Sequence, residues 1–424
     1  MDTIFAQSSG SPPAGIAIVR VSGPAASAAL EALAGAVPPP RRARRAWLRD
    51  GERNLLDDGL VLWFPGPNTA TGEDLAEFHL HGGRAVIAAV ERALGALDGL
   101  RCAEPGEFTR RAFANGRMDL AEAEGLADLL AAETELQRQS AIEMAGGSLS
   151  RQVEGWRERL LILSAQLEAV LDFEDEDDVG GLPGAFASDL EALRDELGRA
   201  LDAPAAEMLR EGFRVALAGP PNAGKSTLFN ALVESEAAIT APQAGTTRDV
   251  LVRPVALGGV PFSFVDMAGL RDETGDVVEA IGIERAQAEI ARADLVLWLG
   301  PEGAGPENAW EIDAQCDRRE RSAKQAPRHR VSAITGENLS ELKRALVEHA
   351  RRAMPRPGET ALNRRQRDLL AEALAALTDA ARNTNLLLVG EGLRQARQAF
   401  DRLVGRASTE DVLDALFGRF CIGK

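Results

Sequence analysis

A chain of 424 residues with 45% hydrophobic content holds enough apolar side chain for two or three separate cores, which excludes wholesale disorder. No apolar run reaches the roughly 18 residues a membrane helix needs, and Met1-Asp2-Thr3-Ile4 lacks a basic leader, so neither a span nor a signal peptide is expected. A net charge of −17 argues against a generally nucleic-acid-binding surface, and three widely spaced cysteines (Cys102, Cys316, Cys421) do not make a disulfide framework, so a reducing cytoplasm is the simplest home.

Residues 1 to about 116 mix strands with short helices. Ala14 to Val21 and Gly59 to Phe64 alternate as strands, and Pro65-Gly66-Pro67-Asn68 reads as a turn. Arg41, Arg42, Arg44 and Arg45 follow three prolines; a solvated loop is the plain reading, RNA contact or partner docking the alternative. Helical patterning begins near Met118. Trp156, Leu160, Leu163, Leu167 and Val170 make one stripe of period 3.6. Asp172 to Asp178 holds six carboxylates in seven positions, again a solvated loop or a docking segment. A second helix is expected from about Ala187 to Leu209.

From about residue 212 the pattern turns to α/β. Phe213 to Ala218 alternates as a strand, Gly219 to Ser226 reads G-P-P-N-A-G-K-S, and Thr227 to Leu232 reads as helix. This is a phosphate-binding loop in its proper strand–loop–helix setting. Its glycines let the backbone N–H groups around Asn222, Ala223, Gly224 and Thr227 turn toward phosphate oxygens at a helix N-terminus. Lys225 is expected on the β- and γ-phosphates and Ser226 on magnesium. Downstream, Gly245-Thr246-Thr247-Arg248-Asp249 offers switch hydroxyls. A strand from Val260 to Val265 then ends in Asp266-Met267-Ala268-Gly269. Asp266 would hold magnesium through water and the Gly269 N–H would sense the γ-phosphate. The ordered set is the anatomy of a switch GTPase.

Two positions depart from that anatomy. Leu270 stands where a Gln often orients the attacking water, so another group must do so, and the carboxylates between Arg271 and Glu279 are the candidates. No arginine is placed as an obvious finger in cis, and a monovalent cation could supply the missing charge. The base-recognition pattern N-K-x-D is matched only by Ala314-Gln315-Cys316-Asp317. Asp317 retains the carboxylate for the guanine N–H groups, while the Asn that braces the loop and touches the base, and the Lys that stacks on it, are absent. Ser332-Ala333 resembles the last base contact, with the Ala333 N–H aimed at the guanine oxygen. Weaker and less selective guanine binding is therefore expected, each lost neutral hydrogen bond being worth about 0.5–1.5 kcal/mol.

Further strands are expected at Asp294 to Leu299 and His329 to Ser332, a break at Met354-Pro355-Arg356-Pro357-Gly358, and long helices at Asp368 to Ala381 and Gly392 to Val404, with Ser408 and Asp411 capping a final one. Helices flank the nucleotide domain on both sides. The economical arrangement is one helical domain with the nucleotide domain inserted; two separate helical domains are the alternative. The fold class is thus multidomain, α/β plus α.

Further segments stand out along the chain: D-T-I-F-A-Q and G-I-A-I-V-R-V-S-G-P near the N-terminus, G-E-D-L-A-E-F-H-L-H-G-G (Gly72 to Gly83), P-G-E-F-T-R-R-A-F-A-N-G-R-M-D-L-A-E-A-E (Pro105 to Glu124), I-G-I-E-R-A (Ile281 to Ala286) and the terminal C-I-G-K (Cys421 to Lys424). On these segments the chain resembles the MnmE (TrmE) family of tRNA-modification GTPases from end to end. The resemblance implies an N-terminal α+β folate-binding and dimerisation domain over 1–117, a discontinuous helical bundle over 118–211 and 354–424, and an inserted Ras-like P-loop G domain over 212–353. It implies a homodimer that works with an FAD-dependent MnmG (GidA) partner on the wobble uridine of tRNA. An aminomethyl or carboxymethylaminomethyl group is added at ring carbon five from a methylene- or formyl-tetrahydrofolate, with GTP, Mg2+ and stimulatory K+. By the same resemblance Asn222, with the Ala241 to Thr246 loop (Ala241, Gln243, Thr246), matches the potassium site. Thr247 matches a magnesium contact and Glu279 the catalytic Glu that orients water indirectly. Arg20, Glu77, Arg117 and Lys424 match folate contacts, Arg117 standing where a Lys is common. Cys421 matches the tail thiol of the modification chemistry, a small residue packed at a domain seam being its other reading. A regulatory nucleotide-binding scaffold for MnmG is the competing reading; a ribosome-assembly GTPase does not explain the N-terminal motifs or the tail.

Overall fold

The computed structural model describes residues 2–172, 182–234, 251–267, 287–318, 324–356, 360–407 and 409–424. The chain divides into two compact units, Met1–Ala127 with Asp401–Lys424, and Asp128–Phe400.

The first unit is built on a six-stranded sheet. Its strands are β1 (Thr3–Gln7), β2 (Ile16–Ser22), β3 (Arg44–Arg49), β4 (Leu55–Phe64), β5 (Leu75–His81) and β6 (Leu100–Cys102), in the order β3-β4-β5-β2-β1-β6. All neighbours are antiparallel except β1 and β6. Period-2 alternation sends Val19, Val21, Val61, Phe78 and Leu80 to one face, where α1 (Ala26–Ala34) and α2 (Arg84–Gly95) cover them with Leu30, Leu33, Val90 and Leu94. The opposite face carries a small cluster of Ile4, Ala6, Ala103 and Phe108, the last on α3 (Glu107–Ala114). Elsewhere that face is uncovered among the described residues: Ile16 is 66% and Trp47 56% exposed. α4 (Leu120–Ala131) and the C-terminal helix Glu410–Phe417 close this unit, with Phe417 and Phe420 packed on Ala123 and Phe417 against Phe113 at a ring separation of 6.1 Å.

The second unit joins a helical layer to an α/β domain. α5 (Glu135–Ala145), α6 (Ser148–Asp172), α7 (Phe186–Asp202) and α8 (Glu207–Glu211) precede the α/β domain, and the helices Arg364–Arg382 and Leu386–Leu403 follow it. Helices from the two sides pack on each other. The Trp156 ring lies 5.9 Å from Phe400, Trp156 Nε1 donates to Glu196 of α7 at 2.9 Å, and Arg194 donates to Thr378 at 3.3 Å. This is the inserted arrangement rather than two separate helical domains. The expected stripe is buried at Trp156, Leu160, Leu163 and Leu167, while Val170 is only half-buried. The helix expected from Ala187 to Leu209 breaks into α7 and α8. Pro204 drives the preceding Ala203 out of helical conformation to ψ 147°, and the Arg367 guanidinium takes up the freed carbonyls of Leu201 and Ala203.

The α/β sheet has the order β12-β11-β10-β7-β9-β8, with β7 (Phe213–Ala218), β8 (Leu251–Leu257), β9 (Val260–Asp266), β10 (Leu295–Trp298), β11 (Trp310–Asp313) and β12 (His329–Arg330). Only β8 is antiparallel to its neighbour. α9 (Lys225–Val233) and the helix Leu339–Ala353 cover it. The strands expected at 294–299 and 329–332 are shorter than expected, because Asp294 turns back to accept from the Arg214 N–H at 2.7 Å and Ser332 leaves the ladder to bond Glu337. Ser408 lies outside the described residues; Thr409 occupies the N-cap position of the last helix, with no side-chain cap bond. Trp156→Ala is expected to remove about 3–5 kcal/mol from the second unit, measured as a lower midpoint in urea unfolding; an unchanged midpoint would show that the helical layer does not depend on this ring.

Candidate functional site

Strand β7 lies between β9 and β10, and its C-terminal end opens into the phosphate loop. Gly219 adopts φ 149° with its α-carbon so close to β10's exit that an added Cβ would meet Gly300 N at 3.0 Å. Gly224 adopts φ 94° and ends the loop at the start of α9, while Asn222 holds φ 61°. Only residues tolerant of positive φ allow this curl. Lys225 is 8% exposed, and its Nζ donates to the Gly219 and Pro220 carbonyls at 3.0 and 2.9 Å, so the ammonium is bent over the loop it serves. Ser226 and Thr227 lie exposed on the first turn of α9. Asp266, 7% exposed, ends β9 in register with Leu217 of β7. A serine hydroxyl and a carboxylate at this edge are oxygen donors of the kind magnesium takes.

The base-recognition segment follows β11. Ala314 is buried, and Gln315 forms an isolated antiparallel bridge to Ser332. Gln315 Nε2 donates to the Asn222 carbonyl at 3.4 Å, and its Cγ lies 3.4 Å from the position a Cβ would take on Gly224. Ser332 is fully buried, its Oγ accepting from the Thr335 N–H at 3.1 Å. Ala333 is half-buried and Asp317 exposed. Burial, then the Glu337 carboxylate, push the Cys316 thiol above its ordinary pKa, which disfavours the thiolate. The contact of Gln315 with the phosphate loop joins residues 93 positions apart and has no local signal in the sequence.

In the first unit, Arg20 on β2 and Glu77 on β5 stand opposite each other and pair at 2.9 Å. His79 Nε2 bonds the other Glu77 oxygen at 3.1 Å. The His79 hydrogen bond, then that of Arg20, hold the Glu77 carboxyl below its ordinary pKa despite partial burial. These groups lie on the uncovered face beside Leu60, Ile18 and Ile16. The C-terminal tail is seated in the same unit. Ile422 bridges Pro105, Ser8 Oγ donates to the Gly423 carbonyl at 2.8 Å, and Gly423 at φ 94° lies so close that an added Cβ would fall 1.9 Å from the Gln7 carbonyl oxygen. Lys424 is thereby held near the end of β1, and Cys421 is exposed rather than packed. Arg117 lies along Gly72 and reaches Asn68 at 3.5 Å. Neither His79 nor the Gln7–Ser8 seat was singled out from sequence. Ala241, Gln243, Thr246, Thr247, Gly269 and Glu279 lie outside the described residues.

A family model described as the MnmE helical domain matches residues 120–421, and one described as the GTP-binding protein TrmE N-terminus matches residues 3–117. The tRNA modification GTPase MnmE of Erythrobacter litoralis is 64% identical over the whole of both chains. That of Novosphingobium aromaticivorans is 61% identical, again over all of both. Among solved structures, the G domain of the T. maritima FeoB iron transporter matches 32% of this chain and 98% of its own at 27% identity, with a TM-score of 0.24, a likeness too slight to bear on the fold. With both its N-terminal and helical segments matched and full-length relatives at this identity, the chain belongs to the MnmE family of tRNA modification GTPases.

Proposed function

We propose that this chain hydrolyses GTP in the service of tRNA wobble-uridine modification, acting as a homodimer with an FAD-dependent MnmG partner. The observation that carries the hydrolytic part is the phosphate loop: Gly219, Asn222 and Gly224 in positive φ, Lys225 bent across them, and Asp266 at the neighbouring strand end. Lys225 binds the β- and γ-phosphates, exchanging carbonyl partners for phosphate oxygens. Ser226 and Asp266, with Thr247, hold Mg2+, which offsets charge on the phosphates. Asn222 and the Ala241 to Thr246 loop, including Gln243, hold K+. The Gly269 N–H meets the γ-phosphate and Glu279 orients the attacking water indirectly. Most of the catalysis is placement and electrostatics, since the protein forms no covalent bond.

The uncovered face of the six-stranded sheet supports a dimerisation and folate site. Exposed Ile16, Trp47 and Leu60 offer apolar area on the face that carries the Arg20–Glu77 ion pair and His79, a mixture suited to a flat heteroaromatic ring with polar edges. Arg20, Glu77, Arg117 and Lys424 contact the tetrahydrofolate derivative, and Cys421 serves the modification chemistry. The regulatory-scaffold reading draws on Ala314 and Gln315; Lys225 and Asp266, both in place, favour turnover. The chain works in the cytoplasm, where tRNA and MnmG are at hand.

Hydrolysis is expected to be faster in K+ than in Na+ and to prefer GTP to ATP; absence of turnover in K+ would favour the scaffold. Glu279→Ala is expected to keep nucleotide affinity and lose turnover in the same steady-state assay, and unchanged turnover would remove Glu279 from its role. Cys421→Ser is expected to keep GTPase activity and lose wobble-uridine modification in cells. Gly423→Ala should reproduce that split, since its Cβ cannot be seated beside the Gln7 carbonyl. Normal modification in both variants would make the tail structural.

A further inference from the structure

Guanine presents N–H donors at N1 and N2 and acceptors at O6 and N7. A site that reads all of them needs a carboxylate for the donors, an N–H for O6 and a further donor for N7. In this chain the first two are present. Asp317 is exposed, with no hydrogen-bond or ion-pair partner among the described residues, and Ala333 follows the buried Ser332. The third is not found among the described residues: Ala314, 5% exposed, stands where the usual pattern has its base-touching Asn and offers only a methyl group. Nor does the loop need that Asn as a brace. Gln315 bridges Ser332, the Cys316 N–H reaches the Val331 carbonyl at 3.4 Å, and the Arg318 N–H closes a turn onto the Gln315 carbonyl at 3.0 Å. The Gln315 amide, where the pattern's Lys is absent, is turned to the phosphate loop at Asn222 and Gly224.

We propose that this G domain reads guanine through Asp317 and Ala333 alone, leaves N7 unread, and uses Gln315 as the tie between its base loop and its phosphate loop. The inference rests on GTP being the nucleotide bound. Selectivity against adenine comes from Asp317, whose charge-assisted bonds are the strong ones. A neutral contact to N7 would add about 2- to 12-fold in affinity, the equivalent of about 0.5–1.5 kcal/mol, and that increment is missing here.

The test is a binding panel on the full-length protein with GTP, 7-deaza-GTP, inosine triphosphate and ATP. 7-Deaza-GTP, which lacks the N7 acceptor, is expected to bind within about twofold of GTP, less than one neutral hydrogen bond is usually worth. Inosine triphosphate, which lacks the N2 amine, is expected to bind about tenfold or more weakly, the charge-assisted bond being the larger. Ala314→Asn should create a preference for GTP over its 7-deaza analogue. Gln315→Ala should weaken both equally, and Gln315→Lys should restore both. A 7-deaza penalty of several fold in the unaltered protein overturns the proposal, and if that penalty vanishes in Gln315→Ala, the N7 donor is Gln315 itself. Should Ala314→Asn not fold, the panel on the unaltered protein decides alone. Equal binding of ATP and GTP would instead refute guanine reading by Asp317, a result distinct from an N7 penalty on a GTP-selective site.

Discussion

The close approach of backbone to backbone around β7 is the constraint on which the nucleotide site depends. β7 pairs in parallel with β9 on one side and β10 on the other, which brings the Lys225 loop, Asp266 and the exit of β10 to the same edge of the sheet. Gly219 fits because it has no side chain to meet Leu299 and Gly300, and a Cβ on Gly224 would crowd the Gln315 side chain at 3.1 Å. The loop's curl is therefore imposed from both sides by its neighbours, not merely permitted by its glycines. A preformed cradle of N–H groups costs little reorganisation when phosphate binds, and that preorganisation makes such a site effective.

The same device, a glycine admitted where no Cβ fits, fixes the tail. Ser8 and Gly423 are 415 residues apart, yet the Gly423 carbonyl accepts from Ser8 and its α-carbon rests against the Gln7 carbonyl. The seat holds the residues on either side of it at once, an exposed thiol at Cys421 and the half-buried Lys424. A flexible terminus would lose most of this, because ordering a free chain end costs about 1–2 kcal/mol per residue in backbone entropy. The Ile422–Pro105 bridge and the Ser8 bond offset part of that cost.

What was legible in the sequence was whatever is local in it. The phosphate loop is a contiguous motif between a strand and a helix, and β7 and α9 lie where alternation and the glycine pattern put them. The stripe on α6 was readable because Trp156, Leu160, Leu163 and Leu167 repeat at the helical period. The break at Ala203 was missed although Pro204 signals it, because the apolar pattern continues through Leu209. Contacts that join distant segments were invisible: Gln315 on Asn222, His79 completing the Arg20–Glu77 pair across two strands, Gly423 on Gln7. Each needs the fold to bring the partners together, and no propensity or spacing encodes it.

Replacing a lysine by glutamine at position 315 also alters the electrostatics of the loop. A lysine there would carry a full positive charge; glutamine ties the base loop to the Asn222 carbonyl with only a dipole. Neutralisation of a triphosphate at this loop would then fall on Lys225 and the N-terminal dipole of α9, together with the cations proposed above. In a chain of net charge −17, a triphosphate approaches against an unfavourable field, so these local charges decide whether it binds at all.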